Sequence, residues 1–259
     1  MGHQKAAHEV LTQLFTPQSA MQTPMHRMIL TWYVRFDVFV GLMGGFETTL
    51  PREWFTTTIA YYQSQLAADP ENLHWKYEDC SSRLRLISMD MSMLFARGAR
   101  GEIPQETFAQ EHAKISKQLR DWKEIFDPEL TNQAYLVTQS GGNVDPGNIV
   151  DPYALGILYD YPLFTTTVLT CEWHSIVIMH EFQALMSSQA EPTAQLAELS
   201  QRSFAICQIF ETIQSWPSTP KGTLIIIHPC IAIATLFLPR DEKHHMWIRR
   251  KFALLESMG

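Results

Sequence analysis

The chain has 259 residues, of which 46% are hydrophobic and 18% are charged, and its formal net charge is −7. This composition is sufficient for a sizeable apolar core and excludes a disordered tail protein. The acidic balance leaves no surplus of positive charge for a surface that binds phosphate backbones, so we expect no direct nucleic-acid binding.

Proline, glycine and aspartate divide the sequence into segments with helical periodicity. The predicted helices, about nine in number, cover residues 3–15, 24–43, 51–69, 72–99, 104–126, 163–187, 193–214, 228–238 and 241–258. An isolated strand can be drawn over residues 223–227, but one strand cannot found a sheet. The predicted fold class is therefore all-α, as a single helical domain over residues 1–259.

One long stretch, residues 127–157, is rich in Gly, Pro and Asp and has turn chemistry instead of helical periodicity. A loop of this length in a helical domain is either disordered or functional, for example as a lid or part of a site mouth. Both interpretations stay open at the level of sequence.

The cysteines and the apolar runs bear on the compartment. The four cysteines form no CxxC pair, so neither a zinc ribbon nor a redox motif is available, and free thiols in a reducing compartment are expected. The longest apolar run, residues 223–238, is too short to span a bilayer, and the N-terminus lacks an apolar signal core. We expect a cytoplasmic protein, with the nucleus as the alternative, and no membrane partner.

Residues 25–55 carry a motif that resembles the regulatory (middle/C-terminal) domain of fungal zinc-cluster transcription factors. The residues that carry the resemblance are Trp32-Tyr33, Arg35-Phe36-Asp37, Gly41, Glu47-Thr48 and Arg52-Glu53-Trp54. Residues 228–259, an apolar helix followed by a helix with a tryptophan, also resemble the end of that domain. The resemblance implies a helical body that senses a ligand or a partner. Members of the family usually begin with a six-cysteine cluster, which these 259 residues do not contain.

Arg35 and Asp37 are two charges in an otherwise apolar predicted helix. A buried charge there needs a partner, because leaving it unpaired costs several kcal/mol. Since the resemblance implies the same residue types in ordinary regulators, a structural role is one interpretation. The other places Asp37 among the catalytic residues and Arg35 against a ligand. Glu47 is expected to cap or brace the start of the next helix.

Asp90 lies among Met and Leu residues, with Arg83 and Arg97 seven residues away on either side. Desolvation of such a carboxyl raises its pKa, as a general acid or base near neutral pH requires. The structural alternative is an ion pair with an arginine from another helix.

Glu172 and His174 begin a second polar group that also contains His180 and Glu181. Seven residues of helix correspond to about 10.5 Å, so His174 and Glu181 are too far apart to bind one metal ion unaided. The spacing is not that of a zinc-binding helix, and we expect no metal. Glu172 and His174 are candidate catalytic residues on the wall of a pocket, and a solvated helix face is the alternative.

Further candidate ligand contacts are one histidine and several aromatic residues, for which a place in the core is the alternative interpretation. His228 stands in an apolar run and reads either as a core histidine or as a ligand contact. The aromatic candidates for an apolar cavity are Trp32, Trp173, Tyr159 and Tyr161.

The sequence contains no Gly-rich phosphate loop and no nucleophile elbow, so we expect no cofactor. The favoured hypothesis is a cofactor-free acid/base enzyme of fungal secondary metabolism that opens an epoxide, hydrolyses or cyclises a hydrophobic, polyketide-like metabolite. Asp90, paired with Glu172 or Asp37, supplies the acid and base. A non-catalytic sensing or dimerising module, acting with a second copy or a DNA-binding protein partner, is the alternative. A part of a longer transcription factor is the third.

Overall fold

The computed structural model describes residues 2–126, 128–139, 141–187 and 193–258. These residues are all-helical, as predicted. The helices are α1 (Gly2–Leu14), α2 (Pro24–Gly44), α3 (Arg52–Ala68), α4 (Leu73–Ala99), α5 (Gln105–Glu124), α6 (Phe164–Ser187), α7 (Thr193–Ser215), α8 (Thr223–Ile226), α9 (His228–Ala234) and α10 (Glu242–Met258). Short 3₁₀ helices cover Ser19–Met21, Pro128–Thr131, Gln133–Tyr135 and Thr235–Phe237. The helix beyond the nine expected is α8, which forms where an isolated strand could be drawn.

The chain divides into two compact units, residues 1–130 and 131–259. The single domain expected from the sequence stays a prediction. None of the described helices is both long enough and apolar enough to cross a lipid bilayer.

Local sequence determines where the helices of unit 1 begin and end. The Thr23 side chain accepts a hydrogen bond of 3.2 Å from the His26 amide and caps α2. Asn72 caps α4 in the same manner. Gly45 ends α2 with a φ of 68°, a left-handed conformation that glycine adopts without steric cost. These caps fix the bounds of α2 and α4 close to those predicted.

Helices α2 and α4 approach closely at Gly41. A Cβ atom at this position would lie 2.5 Å from the Ser92 hydroxyl and 2.9 Å from the Phe46 carbonyl oxygen, so a larger residue fits only if these groups move. Ser92 also donates a hydrogen bond of 2.6 Å to the Phe46 carbonyl, which ties α4 to the segment after α2. Gly41 of α2 and the Ser92 side chain of α4 are therefore in direct contact in the C-terminal halves of the two helices.

In unit 2, α6, α7 and α9 pack on one another, and α10 is attached to α7 by a buried ion pair. Lys251 Nζ lies 2.8 Å from Glu211 Oε1, and both side chains are almost fully buried. The Trp247 indole donates to the same carboxylate. One acidic residue of α7 thus satisfies two donors of α10.

Residues 127–157, predicted to be a long loop, contain two of the 3₁₀ helices; residues 127 and 140 lie outside the described part. Arg250 of α10 holds this segment by a 3.0 Å ion pair with Asp145 and a hydrogen bond to the Gly147 carbonyl. The loop is thereby fastened to α10.

Candidate active site

A small cavity lies inside unit 1, between α2, α3 and α4. Its volume is about 30 Å³, room for one or two water molecules, since one needs roughly 10–15 Å³ measured in this way. The lining comes at helical spacing from each of the three helices: Leu30, Thr31 and Val34; Phe55, Thr58 and Tyr62; Glu78, Ser81, Ser82 and Arg85. We call it the inner cavity.

A larger and more open pocket of about 230 Å³ adjoins it. The residues that line this outer cavity are Pro24, Arg27, Met28, Thr31, Trp32, Tyr62, His74 and Glu78. Thr31, Tyr62 and Glu78 belong to both linings, so they stand at the boundary between the two cavities. At about 230 Å³ the outer cavity is smaller than a typical small-molecule pocket, which measures roughly 300–1,000 Å³, so it has room for a small ligand or for one end of a larger one.

Glu78 is the titratable group at this boundary. Burial raises the pKa of its carboxyl, because desolvation penalises the charged form. The charge of His74, a hydrogen bond from Tyr62 and the guanidinium groups of Arg85 and Arg27 act in the opposite direction and do not cancel the effect. A carboxyl with a raised pKa holds a proton at a pH where an ordinary glutamate has lost it.

Tyr62 of α3 is the hydrogen-bond partner of Glu78. Burial raises the pKa of the Tyr62 hydroxyl, and the nearby Glu78 charge raises it further. Tyr62 therefore stays protonated and acts as the donor to the carboxylate. Its ring is held by edge contact with Tyr61 at 5.4 Å and by Trp75 at 6.2 Å.

Three cationic or titratable side chains surround the pair. Arg85, a buried residue, lies in the inner cavity, and His74 lies on the exposed side of the outer cavity. Arg27 is fixed by a 2.8 Å hydrogen bond to the Met21 carbonyl. Among the described residues, no three His, Cys, Asp or Glu side chains are arranged to hold a metal ion. Proton transfer between Glu78, a ligand and His74 is the chemistry that these groups can support.

Asp37, a predicted catalytic residue, is fully buried and accepts hydrogen bonds from several donors. The Gln4 amide and the Thr49 hydroxyl each donate to it at 2.8 Å, and the backbone N–H groups of Thr49 and Leu50 donate at 2.9 Å and 3.1 Å. Through these hydrogen bonds Asp37 joins α1, α2 and the segment before α3, which favours the interpretation of Asp37 as a structural residue.

Asp90 forms an ion pair with Arg52 of α3, while Arg83, one of the arginines named beside it, pairs with Asp79 at 2.7 Å. The Asp90 side chain is 27% exposed. This pairing is the structural alternative expected for Asp90 from the sequence, an ion pair with an arginine from another helix. Asp37 and Asp90 thus have separate partners.

Trp32 is the predicted ligand-binding residue that the structure places in a cavity, where it lines the outer one with 52% of its surface exposed. Arg35 is half-buried on α2 and belongs to neither lining. Glu47 pairs with Arg100 at the end of α4, and α3 begins after Pro51 without a side-chain cap, so the expectation that Glu47 caps this helix is wrong. That it braces the start of α3 stays a prediction.

Glu172 and His174 lie on α6 in unit 2, so the proposed pairing of Asp90 with Glu172 joins residues of different units and stays a prediction. Glu172 is buried beside Cys171, and His174 is half-buried against the edge of Trp173 at 5.0 Å. Trp173 also carries the Arg202 guanidinium over its ring at 5.2 Å.

The remaining predicted ligand contacts are spread over unit 2. Tyr159 is half-buried, and burial raises the pKa of its hydroxyl. Tyr161 is 59% exposed and stacks on Phe164 at 6.1 Å. His228 is exposed and meets the edge of Phe252 at 5.6 Å, so the interpretation as a core histidine is wrong. It begins α9, whose buried face is formed by residues further along the helix.

The boundary residues Tyr62 and Glu78 were not among the predicted site residues. A signal existed in α4, where His74, Glu78 and Arg85 follow a helical spacing and place polar groups on one face. Sequence does not distinguish Glu78 from its neighbour Asp79, because adjacent residues point in different directions and only packing decides which one enters a cavity.

No protein-family model matches this chain, and neither does any curated protein or any solved structure.

Proposed function

We propose that the chain is a cofactor-free acid/base enzyme that acts on a small hydrophobic molecule, with Glu78 as its proton-transfer group. The observation that carries the proposal is the position of the Glu78 carboxyl, whose pKa is raised and which Tyr62 holds at the boundary of the two cavities. Perturbed carboxyls in clefts mark acid/base sites because proton transfer near neutral pH needs them. In this proposal Glu78 replaces Asp90.

The outer cavity supports the choice of substrate. Met28 and Trp32 of α2 offer an apolar wall, and His74 and Glu78 of α4 stand opposite in the same lining. A ligand with an apolar body and one reactive oxygen matches this distribution. An epoxide or an ester of a polyketide-like metabolite has this composition.

The reaction proposed is opening of a C–O bond by paired acid and base. The protonated Glu78 carboxyl gives its proton to the substrate oxygen as the C–O bond breaks. A water molecule, or a hydroxyl of the substrate itself, attacks the carbon and passes its proton to the imidazole of His74, which acts as the base in its neutral form and becomes the charged imidazolium. Attack by water hydrolyses the substrate and attack by an internal hydroxyl cyclises it. Return of the proton from His74 to Glu78 through solvent completes the cycle.

The place of such an enzyme in fungal secondary metabolism, and its origin in the regulatory-domain fold that residues 25–55 resemble, belong to the same proposal. The presence of both a carboxyl and an imidazole in the outer cavity supports chemistry over simple ligand sensing.

The test is deletion of the gene followed by metabolite profiling and by complementation with variants. We expect an epoxide, ester or uncyclised precursor to accumulate while transcripts of the neighbouring biosynthetic genes stay constant. Complementation with Glu78→Gln should leave the precursor in place, and Glu71→Gln, which changes an exposed glutamate of the same unit, should restore the product. Restoration by Glu78→Gln would refute the proposal.

The second candidate is a non-catalytic sensing or dimerising module. The apolar side chains that α2 exposes favour it, because such surfaces mark protein interfaces. The same deletion separates the two functions, since loss of a regulatory module lowers the transcripts and loss of an enzyme does not.

A further inference from the structure

Helix α2 exposes a stripe of large apolar side chains along one face. Six residues between 39% and 58% exposed form this stripe: Met25, Met28, Ile29, Trp32, Phe36 and Met43. They recur at helical spacing over the length of α2 and include no charged residue. The opposite face of the helix is buried in unit 1 through residues such as Leu30 and Val38.

The stripe continues onto α1. Val10 and Leu14 are also exposed, and they line an apolar groove of about 390 Å³ that reaches Ile29 and Tyr33 of α2. The exposed apolar surface therefore spans two helices of the same unit.

We propose that this face binds a second copy of the chain to form a two-fold symmetric dimer. Eight residues, of which Trp32 and Phe36 are aromatic, have side chains of roughly 150 Å² each that are about half exposed, which gives on the order of 600 Å² of apolar surface. This is at the upper end of the largest patch on a monomer, about 300–600 Å². A stable interface takes about 800 Å² from each partner, of which about 56–65% is apolar, so the exposed apolar surface is sufficient for a dimer.

The arrangement of the stripe selects a second copy as the partner. Met25 and Met43 lie equally far from Val34 along α2, and so do Trp32 and Phe36. A two-fold axis that passes by Val34 packs α2 antiparallel on its copy. Met25 then meets Met43 of the second copy, and Trp32 meets Phe36 of the second copy. A surface with this internal symmetry is complementary to itself, as an isologous interface requires.

The dimer also bears on the candidate site, although it does not depend on the proposed function. Met28 and Trp32 belong both to the stripe and to the lining of the outer cavity. The second copy therefore borders the mouth of that cavity.

Sedimentation of the full chain provides the first test. We expect twice the chain mass of 29.8 kDa for the wild type. Phe36→Glu combined with Met43→Glu should give the monomer mass, while Ile125→Glu, at a 71% exposed apolar residue outside the stripe, should leave the dimer intact. A monomeric wild type, or a dimer that survives the double substitution, overturns the proposal.

Cross-linking tests the antiparallel arrangement without relying on disruptive variants. The variants Met25→Cys and Met43→Cys are made in a Cys80→Ser background, where the three remaining cysteines are buried. The Met25→Cys protein, the Met43→Cys protein and a mixture of the two are each oxidised. Positions 25 of the two copies lie about 27 Å apart along the helix, whereas a disulfide needs Cα atoms closer than about 7 Å. We expect a disulfide only in the mixture. A disulfide in the Met25→Cys protein alone, or none in the mixture, contradicts the inferred interface.

Discussion

The Tyr62 hydroxyl and the Glu78 carboxyl form a hydrogen bond that joins α3 to α4, and each changes the pKa of the other in the opposite direction. The bond lowers the pKa of Glu78, while the charge of Glu78 raises that of Tyr62. Burial raises the pKa of the Glu78 carboxyl and the hydrogen bond from Tyr62 lowers it, and the effect of burial is the larger of the two.

Tyr62→Phe should therefore raise the pKa of Glu78 further, because it removes a donor that stabilises the charged carboxylate. The measurement is a titration followed by the infrared band of the protonated carboxyl, or the alkaline limb of the pH–rate profile, on which a general acid loses its proton. Tyr61→Phe, at the neighbouring tyrosine, serves as control and should leave the pKa in place. A downward shift in the Tyr62→Phe protein would contradict the assigned hydrogen bond.

Glu78→Gln should stabilise the fold at neutral and alkaline pH. A carboxyl whose folded-state pKa is raised contributes stability fully below its ordinary value of 4.5 and loses that contribution as the pH rises through the folded-state pKa. The glutamine variant does not titrate, so its advantage should appear above that pKa and vanish in acid. Urea unfolding at a series of pH values measures the difference. A difference that does not vary with pH would show that Glu78 is not desolvated.

If Glu78 is the proton donor, the same Glu78→Gln variant loses about 10²–10⁴-fold in turnover.

Asp37→Asn should destabilise unit 1 by about 2–3 kcal/mol, because hydrogen bonds to a charged acceptor are worth roughly 1.5–3 kcal/mol. The amide places N–H donors against the backbone N–H groups of Thr49 and Leu50, which now donate to the carboxylate. Denaturant unfolding gives the free energy, and Asp121→Asn on the exposed surface should change it by less than about 0.5 kcal/mol. If the free energy of unfolding of the Asp37→Asn protein equals that of the wild type, Asp37 does not stabilise unit 1.

Asp90→Asn should cost less than about 1 kcal/mol, since exposed ion pairs contribute about 0–1 kcal/mol. Its partner Arg52 is 54% exposed and can turn to solvent when the carboxylate is lost. Turnover should survive, as measured by metabolite profiling of a complemented deletion strain. A loss comparable to that of Glu78→Gln would return the acid/base role to Asp90.

Lys251→Met should destabilise unit 2 by about 3–5 kcal/mol, because it leaves the Glu211 carboxylate buried without its cation. The double variant Glu211→Leu/Lys251→Met removes both charges and should recover most of that loss. Thermal unfolding followed by calorimetry measures the change in stability. The exposed pair offers the control Lys117→Met, which should shift stability by no more than about 1 kcal/mol. Equal losses for the single and double variants would show that packing, not charge, dominates.

The helices were predictable because their signals are local. Thr23 and Pro24 at the start of α2, and Gly45 at its end, act through bonds within a few residues. Thr223–Ile226 forms a helix within the run 223–227 where a strand could be drawn, because a short run of apolar residues has no periodicity that distinguishes a helix from a strand.

The candidate site was less predictable because it depends on contacts between distant segments. The pKa of Glu78 is raised by the packing of α2 and α3 around it, and Tyr62 comes from another helix. Asp90 has the apolar sequence context of a perturbed carboxyl, yet Arg52, far away in sequence, is its partner. Trp32, a ligand contact predicted from the sequence, lines the outer cavity. A tryptophan is a candidate for an apolar pocket by its residue type alone, without knowledge of distant contacts.

The close approach of Gly41 to Ser92 has a consequence for how the shape of the inner cavity can change. Val34 and Arg85, each seven residues earlier on its helix, line the inner cavity about 10.5 Å away along α2. A larger residue at position 41 would have to displace the Ser92 hydroxyl and the Phe46 carbonyl, and where α4 moves with Ser92 the width of that cavity changes. A substitution at position 41, which is not part of the lining, can therefore change the shape of the inner cavity. A search for variants with altered ligand binding should include position 41 as well as the lining residues.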